Sequence, residues 1–346
     1  MKRVWVGMSG GIDSSAAAWV LKQQGYAPEG VTLQLLDGAE SDANDARLMA
    51  QTLNIPHCVL DYRSWFFETV MQNFADTYLA GDTPNPCLVC NKMVKFGKLL
   101  DDALAAGAEA VATGHYVQRE QASDGRWLLK KAVDTTKDQS YVLYSLTQHQ
   151  LSHSLFPLGG MTKAEIRRLA EENGWVTAHK SDSQDICFVP DGDYVEFLER
   201  TFQIKRQTGD FLNANGECIG KHTGMIGYTI GQRKGLGVAF GEPRYVTAKD
   251  AANNTVTLGK HDELFSLGLV ADDVNWILFD ELKEPLRVTA KTRYSQKEAA
   301  ATVEPFGDSR MRVVFDEPQR ALTTGQAVVL YQGDYVVGGG TIRGAQ

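Results

Sequence analysis

The sequence predicts an α/β N-terminal domain on a parallel, doubly wound sheet, then a small linking domain and a C-terminal β-barrel-like domain. Three observations carry this. Short apolar runs alternate with helical patterns through the first half, as βαβ units require. After about Arg200 glycines cluster, β-branched residues alternate with polar ones, and no amphipathic helix stands out. The hexapeptide Ser9 to Ser14, S-G-G-I-D-S, lies where the first apolar run gives way to a helix.

Residues 4–7 read as a strand, 16–23 as a helix, 30–35 as a strand, 42–53 as a helix, 57–60 as a strand and 65–79 as a helix. A helix near Val94 and a strand at 110–113 continue the alternation, which places ligands at the C-terminal strand edges. Two prolines, Pro84 and Pro86, exclude regular structure just before Cys87 and Cys90, so the next helix is expected from about Asn91. Domains are expected at 1–201, 202–261 and 262–346.

With 346 residues, 43% hydrophobic and 23% charged, the chain is an ordinary globular protein of more than one domain. It has no run of eighteen apolar residues and no signal-peptide pattern, which points to the cytoplasm. Its five cysteines then read as reduced thiols, ligands or catalysts. The net charge of −8 argues against a nucleic-acid partner, but residues 214–249 carry five cations against Glu217 and Glu242. A basic docking face on an acidic protein is therefore allowed.

Ser9 to Ser14 offers a polyanion backbone N–H groups, glycines that permit close approach and a helix dipole. A Walker loop would need a lysine after its glycines, and none follows. The motif resembles the pyrophosphate loop of the N-type ATP pyrophosphatases, whose domain is adenine nucleotide alpha-hydrolase-like; a turn capping an ordinary helix through Asp13 or Ser14 is the structural alternative.

Three cysteines add chemistry. Cys87 and Cys90 stand near a helix start with Lys92 and Lys95 close by, a setting that lowers a thiol's pKa, while Cys187 lies in a polar, loop-like stretch. Cys58 and Cys218 read as small buried hydrophobes.

Taken together, S-G-G-I-D-S, T-P-N-P-x-x-x-C-N at 83–91, A-T-G-H-Y at 112–116, K-D-Q-S-Y at 137–141, S-Q-D-I-C-F at 183–188, G-x-T-x-G-Q-R-K-G-L-G ending at Gly237 and K-T-R-Y at 291–294 resemble the tRNA-specific 2-thiouridylases nearly end to end. That resemblance implies a cytoplasmic tRNA-binding transferase that replaces the 2-oxygen of the wobble uridine by sulfur through an adenylate, in tRNAs for lysine, glutamate and glutamine. Gly7, Met8, Ser9, Gly10, Gly11, Ile12, Asp13, Ser14, Leu33 and Gly114 would hold ATP with Mg²⁺. Asn85, Pro86 and Cys87 would meet the flipped-out base. His115, Lys137, Asp138, Gln139, Arg293, Tyr294 and Gln326 would contact tRNA, and the basic stretch 224–237 would lie along its backbone.

By the same resemblance Cys187 receives sulfur as a persulfide from a sulfur-relay protein or cysteine desulfurase, Cys90 is the nucleophile that attacks it or helps release sulfide at the activated carbon, and a disulfide bond is expected. Many relatives carry aspartate where this chain has Cys87. Cys87, Cys90 and Cys187 could therefore hold a [4Fe-4S] cluster instead. Two other classes would use the same loop: an amide ligase acting on a small carboxylic acid, and a zinc or redox-sensing module.

Overall fold

The computed structural model describes residues 1–38, 40–177, 186–238 and 241–346. Five parallel strands, β1 (Arg3–Gly7), β2 (Ala27–Gln34), β3 (His57–Asp61), β4 (Ala110–Ala112) and, later in the chain, Ser154–Leu155, form one sheet. Its spatial order is β3-β2-β1-β4 followed by Ser154–Leu155. From β1 the chain winds outward through β2 and β3, then crosses back to lay β4 on the other side. The end of β1 is thus the topological switch point, where doubly wound sheets bind ligands.

Val4 and Val6 of β1 are buried, and helices α1 (Ile12–Gln23) and α2 (Glu40–Thr52) cover one face through Ala16, Ala17, Leu21, Ala46 and Met49. The other face packs against two long helices, 63–79 and 86–105, through Phe66, Phe74, Val94 and Leu99. Both contain π-helical turns, at Phe67–Met71 and Cys90–Lys98, a local widening that recurs at functional sites.

Two sequence expectations need correction here. Helix α1 begins at Ile12, not Ala16, and its N-cap is Gly11, with no side-chain cap from Asp13 or Ser14. The second long helix begins at Pro86, five residues before Asn91, with Asn85 as N-cap. Proline is favourable at this first helical position because its missing N–H would have no intrahelical partner anyway. Pro86 therefore starts the helix, and Cys87 and Cys90 both lie within it.

A second sheet, ordered Tyr245–Asp250, Thr255–Gly259, Gly209–Leu212, Cys218–His222, encloses Phe211, Val246, Val256 and Leu258. Six further strands, Phe265–Trp276, Met311–Arg320, Ala299–Pro305, Leu286–Lys291, Ala327–Gln332 and Tyr335–Ala345, pair in that order, and the last closes back on the first as a barrel. Alternating inward residues such as Val288, Ala290, Ala301, Val303 and Val313 fill it. The hairpin Gln118–Gln121 and Trp127–Lys130 leaves the N-terminal half to extend this sheet through the pair Tyr335–Lys130. The N-terminal half and the barrel are thus joined through a shared sheet.

Candidate active site

The loop after β1 is anchored on both sides. The Met8 N–H donates to Val31 O at 2.8 Å and Thr32 Oγ1 donates to Met8 O at 2.9 Å, tying it to β2. Gly10 has φ +69, and a Cβ there would lie 2.6 Å from Asp42 O, so glycine is required by backbone and space alike. The Ser9 N–H and Ser14 Oγ meet at 3.2 Å. The first-turn N–H groups of α1 lack intrahelical acceptors and point with the helix dipole at the switch point.

Asp13, in that first turn, accepts from Lys163 Nζ at 2.8 and 2.7 Å and from the Tyr116 hydroxyl at 2.6 Å. Gly114 closes the same place from β4: a Cβ on it would sit 2.7 Å from the Asp13 carbonyl carbon and 2.8 Å from Ser14 N. Leu33 lies half-buried on β2 against the core. Sequence reasoning missed Lys163. Its only local signal, the capping box of Thr162 and Glu165 at the start of helix Lys163–Glu172, says nothing of a partner 150 residues away.

The T-P-N-P loop is held by the barrel. Gln326 Nε2 donates to Thr83 O and Pro84 O, each at 3.0 Å, and the Thr83 N–H donates to Thr324 O at 2.9 Å. Downstream, Cys87 is exposed and Cys90 buried, while Asn91, also buried, donates from Nδ2 to Val142 O at 3.0 Å. Phe188 packs edge-on against Phe66 and Phe74 of the helix 63–79 and so holds the chain next to Cys187 against that helix.

Crowding by protein and the neighbouring Cys90 and Cys87 push Cys187, exposed on one side, up to about 11, against a smaller opposing effect of Lys95. Burial also raises the Cys90 pKa; Lys95 opposes this and Cys87 adds to it. The low-pKa thiolate expected at Cys90 is thus corrected: desolvation outweighs the lysine. Cys58 and Cys218 are corrected too, since both are exposed on edge strands of their sheets. All five cysteines are free thiols, so the expected disulfide bond is not formed here. No three His, Cys, Asp or Glu among the described residues are grouped to hold a metal ion. Residues 181–185 of the Cys187 motif lie outside the described residues.

Lys95 links the two halves of the site, acting on Cys90, Cys187 and His115. His115 adjoins Gly114, and its ring nitrogen Nδ1 is 2.7 Å from Thr113 Oγ1. Burial and then Lys95 hold it well below the usual histidine range, so it is neutral. Gly114, packed against Asp13 and Ser14, brings the A-T-G-H-Y segment onto the phosphate loop.

The residues expected to meet tRNA lie between domains. Asp138 accepts from Ala132 N and Ser140 Oγ, and Gln139 Oε1 accepts from Tyr116 N. Arg293 Nη2 donates to Thr323 Oγ1 at 2.6 Å and to Ile230 O and Ala321 O at 3.3 Å. Tyr294, 45% exposed, reaches Asp138 O at 3.3 Å, and Lys137 is partly exposed in the turn before it. In the 224–237 stretch Met225 and Ile226 are buried, Arg320 donates to Gly231 O, and Arg233 to Gly235 form an exposed basic tip.

Residues 2–191 match the family described as tRNA methyl transferase HUP domain, 195–260 the tRNA methyl transferase PRC-barrel domain and 266–342 the aminomethyltransferase beta-barrel domain. The chain is 48% identical to the tRNA-specific 2-thiouridylase MnmA of Acetivibrio thermocellus, over 99% of both chains. It is 51% identical to that of Heliobacterium modesticaldum, over 98% of this chain and 92% of the relative. Among solved structures, the U34-tRNA thiolase NcsA of Methanococcus maripaludis with its [4Fe-4S] cluster superimposes with a TM-score of 0.37 at 18% identity, over 58% of this chain and 66% of its own. Full-length identity near one half, across all three matched segments, places this chain in the tRNA-specific 2-thiouridylase family.

Proposed function

We propose that this tRNA sulfurtransferase thiolates the wobble uridine of tRNAs for lysine, glutamate and glutamine by a persulfide relay. ATP, with Mg²⁺, binds at the switch-point loop, from Gly7 to Ser14 with Leu33 and Gly114, in the catalytic domain 1–201. The uridine 2-oxygen attacks the α-phosphorus; the bond to pyrophosphate breaks, and an adenylated base remains.

A sulfur-relay protein or cysteine desulfurase leaves a persulfide on Cys187. Its terminal sulfur attacks C2 and AMP departs, leaving the base joined to Cys187 through a disulfide. Cys90 then attacks the Cys187 sulfur, forming a Cys90–Cys187 disulfide and releasing 2-thiouridine; an external dithiol restores both thiols. Dividing the displacement this way avoids one difficult step. Asn85, Pro86 and Cys87 line the approach of the base. Segments 202–261 and 262–346, with His115, Lys137, Asp138, Gln139, Arg293, Tyr294 and Gln326, position the tRNA.

Two features support this reading most directly: Gly114 closes on Asp13 and Ser14 of the phosphate loop, and Cys187 lies within electrostatic reach of Cys90. A [4Fe-4S] cluster on Cys87, Cys90 and Cys187 would need three converging ligands, and the described side chains do not supply them in this conformation. The test incubates the protein with ATP, a persulfide donor and unmodified tRNA, and assays nucleosides for 2-thiouridine. Product from iron-free wild type, lost in C90A and C187A, is expected. Product that appears only with stoichiometric iron and acid-labile sulfide would replace the relay by the cluster.

A further inference from the structure

Lys163 has no place in the motifs, yet it is 5% exposed and pairs with both carboxylate oxygens of Asp13, at 2.8 and 2.7 Å. The ammonium is buried while the Asp13 carboxylate is 31% exposed, and burying the lysine costs desolvation that the attraction only partly offsets, so its location needs a reason. Asp13 stands in the first turn of α1, where the backbone invites a polyanion. An uncompensated carboxylate there would repel the very phosphates the loop attracts.

We infer that Lys163 is a positioning residue for pyrophosphate binding: it neutralises Asp13 and, with the Tyr116 hydroxyl, fixes that carboxylate so that the S-G-G-I-D-S loop presents a net attractive field to the nucleotide. The cation that a Walker loop carries within its own sequence is supplied here from helix Lys163–Glu172 and acts through Asp13. The tight fit of Tyr116 and Gly114 around Asp13 leaves the carboxylate little freedom to swing away from an incoming phosphate. The pair therefore sets affinity for the polyphosphate as a whole, for substrate and leaving group alike.

This rests on the nucleotide half of the proposed function. It is tested without tRNA or sulfur, by calorimetric titration of the full chain with inorganic pyrophosphate, so failure of the thiolation reading leaves it untouched. Lys163→Met should weaken pyrophosphate binding about 10- to 100-fold, because one unscreened charge a few ångströms away is worth that much in a partly buried site. Lys163→Arg should recover most of the loss. The double variant Lys163→Met with Asp13→Asn should recover part of the affinity lost in Lys163→Met, since the offending carboxylate is gone. Thermal melting of each variant separates this from unfolding: a merely structural pair would lower the melting temperature of the double variant with no recovery of binding. A double variant as weak as Lys163→Met, or a Lys163→Met protein that binds like wild type, overturns the inference.

Discussion

Gly114→Ala examines how closely the A-T-G-H-Y segment braces the phosphate loop. The added Cβ would lie 2.7 Å from the Asp13 carbonyl carbon, 2.8 Å from Ser14 N and 2.9 Å from Asp13 Cβ. Ordinary contact begins at 3.4 Å, so the first turn of α1 or the end of β4 must retreat by about 0.7 Å. Two of the three neighbours are backbone atoms, and no rotamer change relieves them. Overpacking of this kind costs about 1–3 kcal/mol of stability. Displacing the first-turn N–H groups by nearly an ångström should cost up to about 100-fold in catalytic efficiency. The assay is tRNA-dependent pyrophosphate release against ATP concentration, with Gly160→Ala as control because a Cβ there meets nothing within 4 Å. We expect kcat/KM for ATP to fall about 10- to 100-fold in Gly114→Ala alone, while tRNA binding persists. If kcat/KM stays within about twofold of wild type at an unchanged melting temperature, the bracing does not exist.

Two further outcomes concern the thiols and the loop that carries them. With its pKa raised to about 11, Cys187 holds less thiolate than an ordinary cysteine at every pH below that value, so its iodoacetamide labelling should climb about tenfold per unit from pH 7 to 10. Peptide mass spectrometry reads the rate, and a plateau near pH 8 would contradict the crowding. Gln326→Ala removes the Nε2 that donates to both Thr83 O and Pro84 O and should cost about 1–3 kcal/mol locally. Hydrogen exchange over 83–91 should accelerate and thiolation slow, whereas unchanged protection would mean that the loop holds itself.

The parallel sheet was legible because each strand is a short apolar run bounded by a helical pattern, from Val4–Val6 to Ala110–Ala112. What escaped depends on distant contacts. Pro86 looked like a barrier because local reading treats proline as a breaker, although at the first helical position it is a starter. The Cys90 pKa was read from lysines nearby in sequence, while its burial comes from packing of the helix 86–105 against the core. Lys163 and the hairpin Gln118–Gln121/Trp127–Lys130 find their partners about 150 and 200 residues away, separations that periodicity does not register.

The interdomain polar ties bear on how an acidic protein of net charge −8 handles tRNA. A uniform positive field is not available to it, so affinity must come from local groups. The groups proposed for that role are already engaged: Arg293 Nη2 joins the linking domain at Ile230 O to the barrel at Ala321 O and Thr323 Oγ1, and Gln326 joins the barrel to the loop leading to Cys87 and Cys90. An RNA that draws Arg293 or Gln326 toward its backbone exchanges an internal hydrogen bond for an external one, at small net cost in energy. It also loosens the link between barrel and catalytic loop. Under the proposed tRNA contacts, binding at these residues would be coupled to the freedom of the T-P-N-P loop, because the same side chains hold that loop to the barrel.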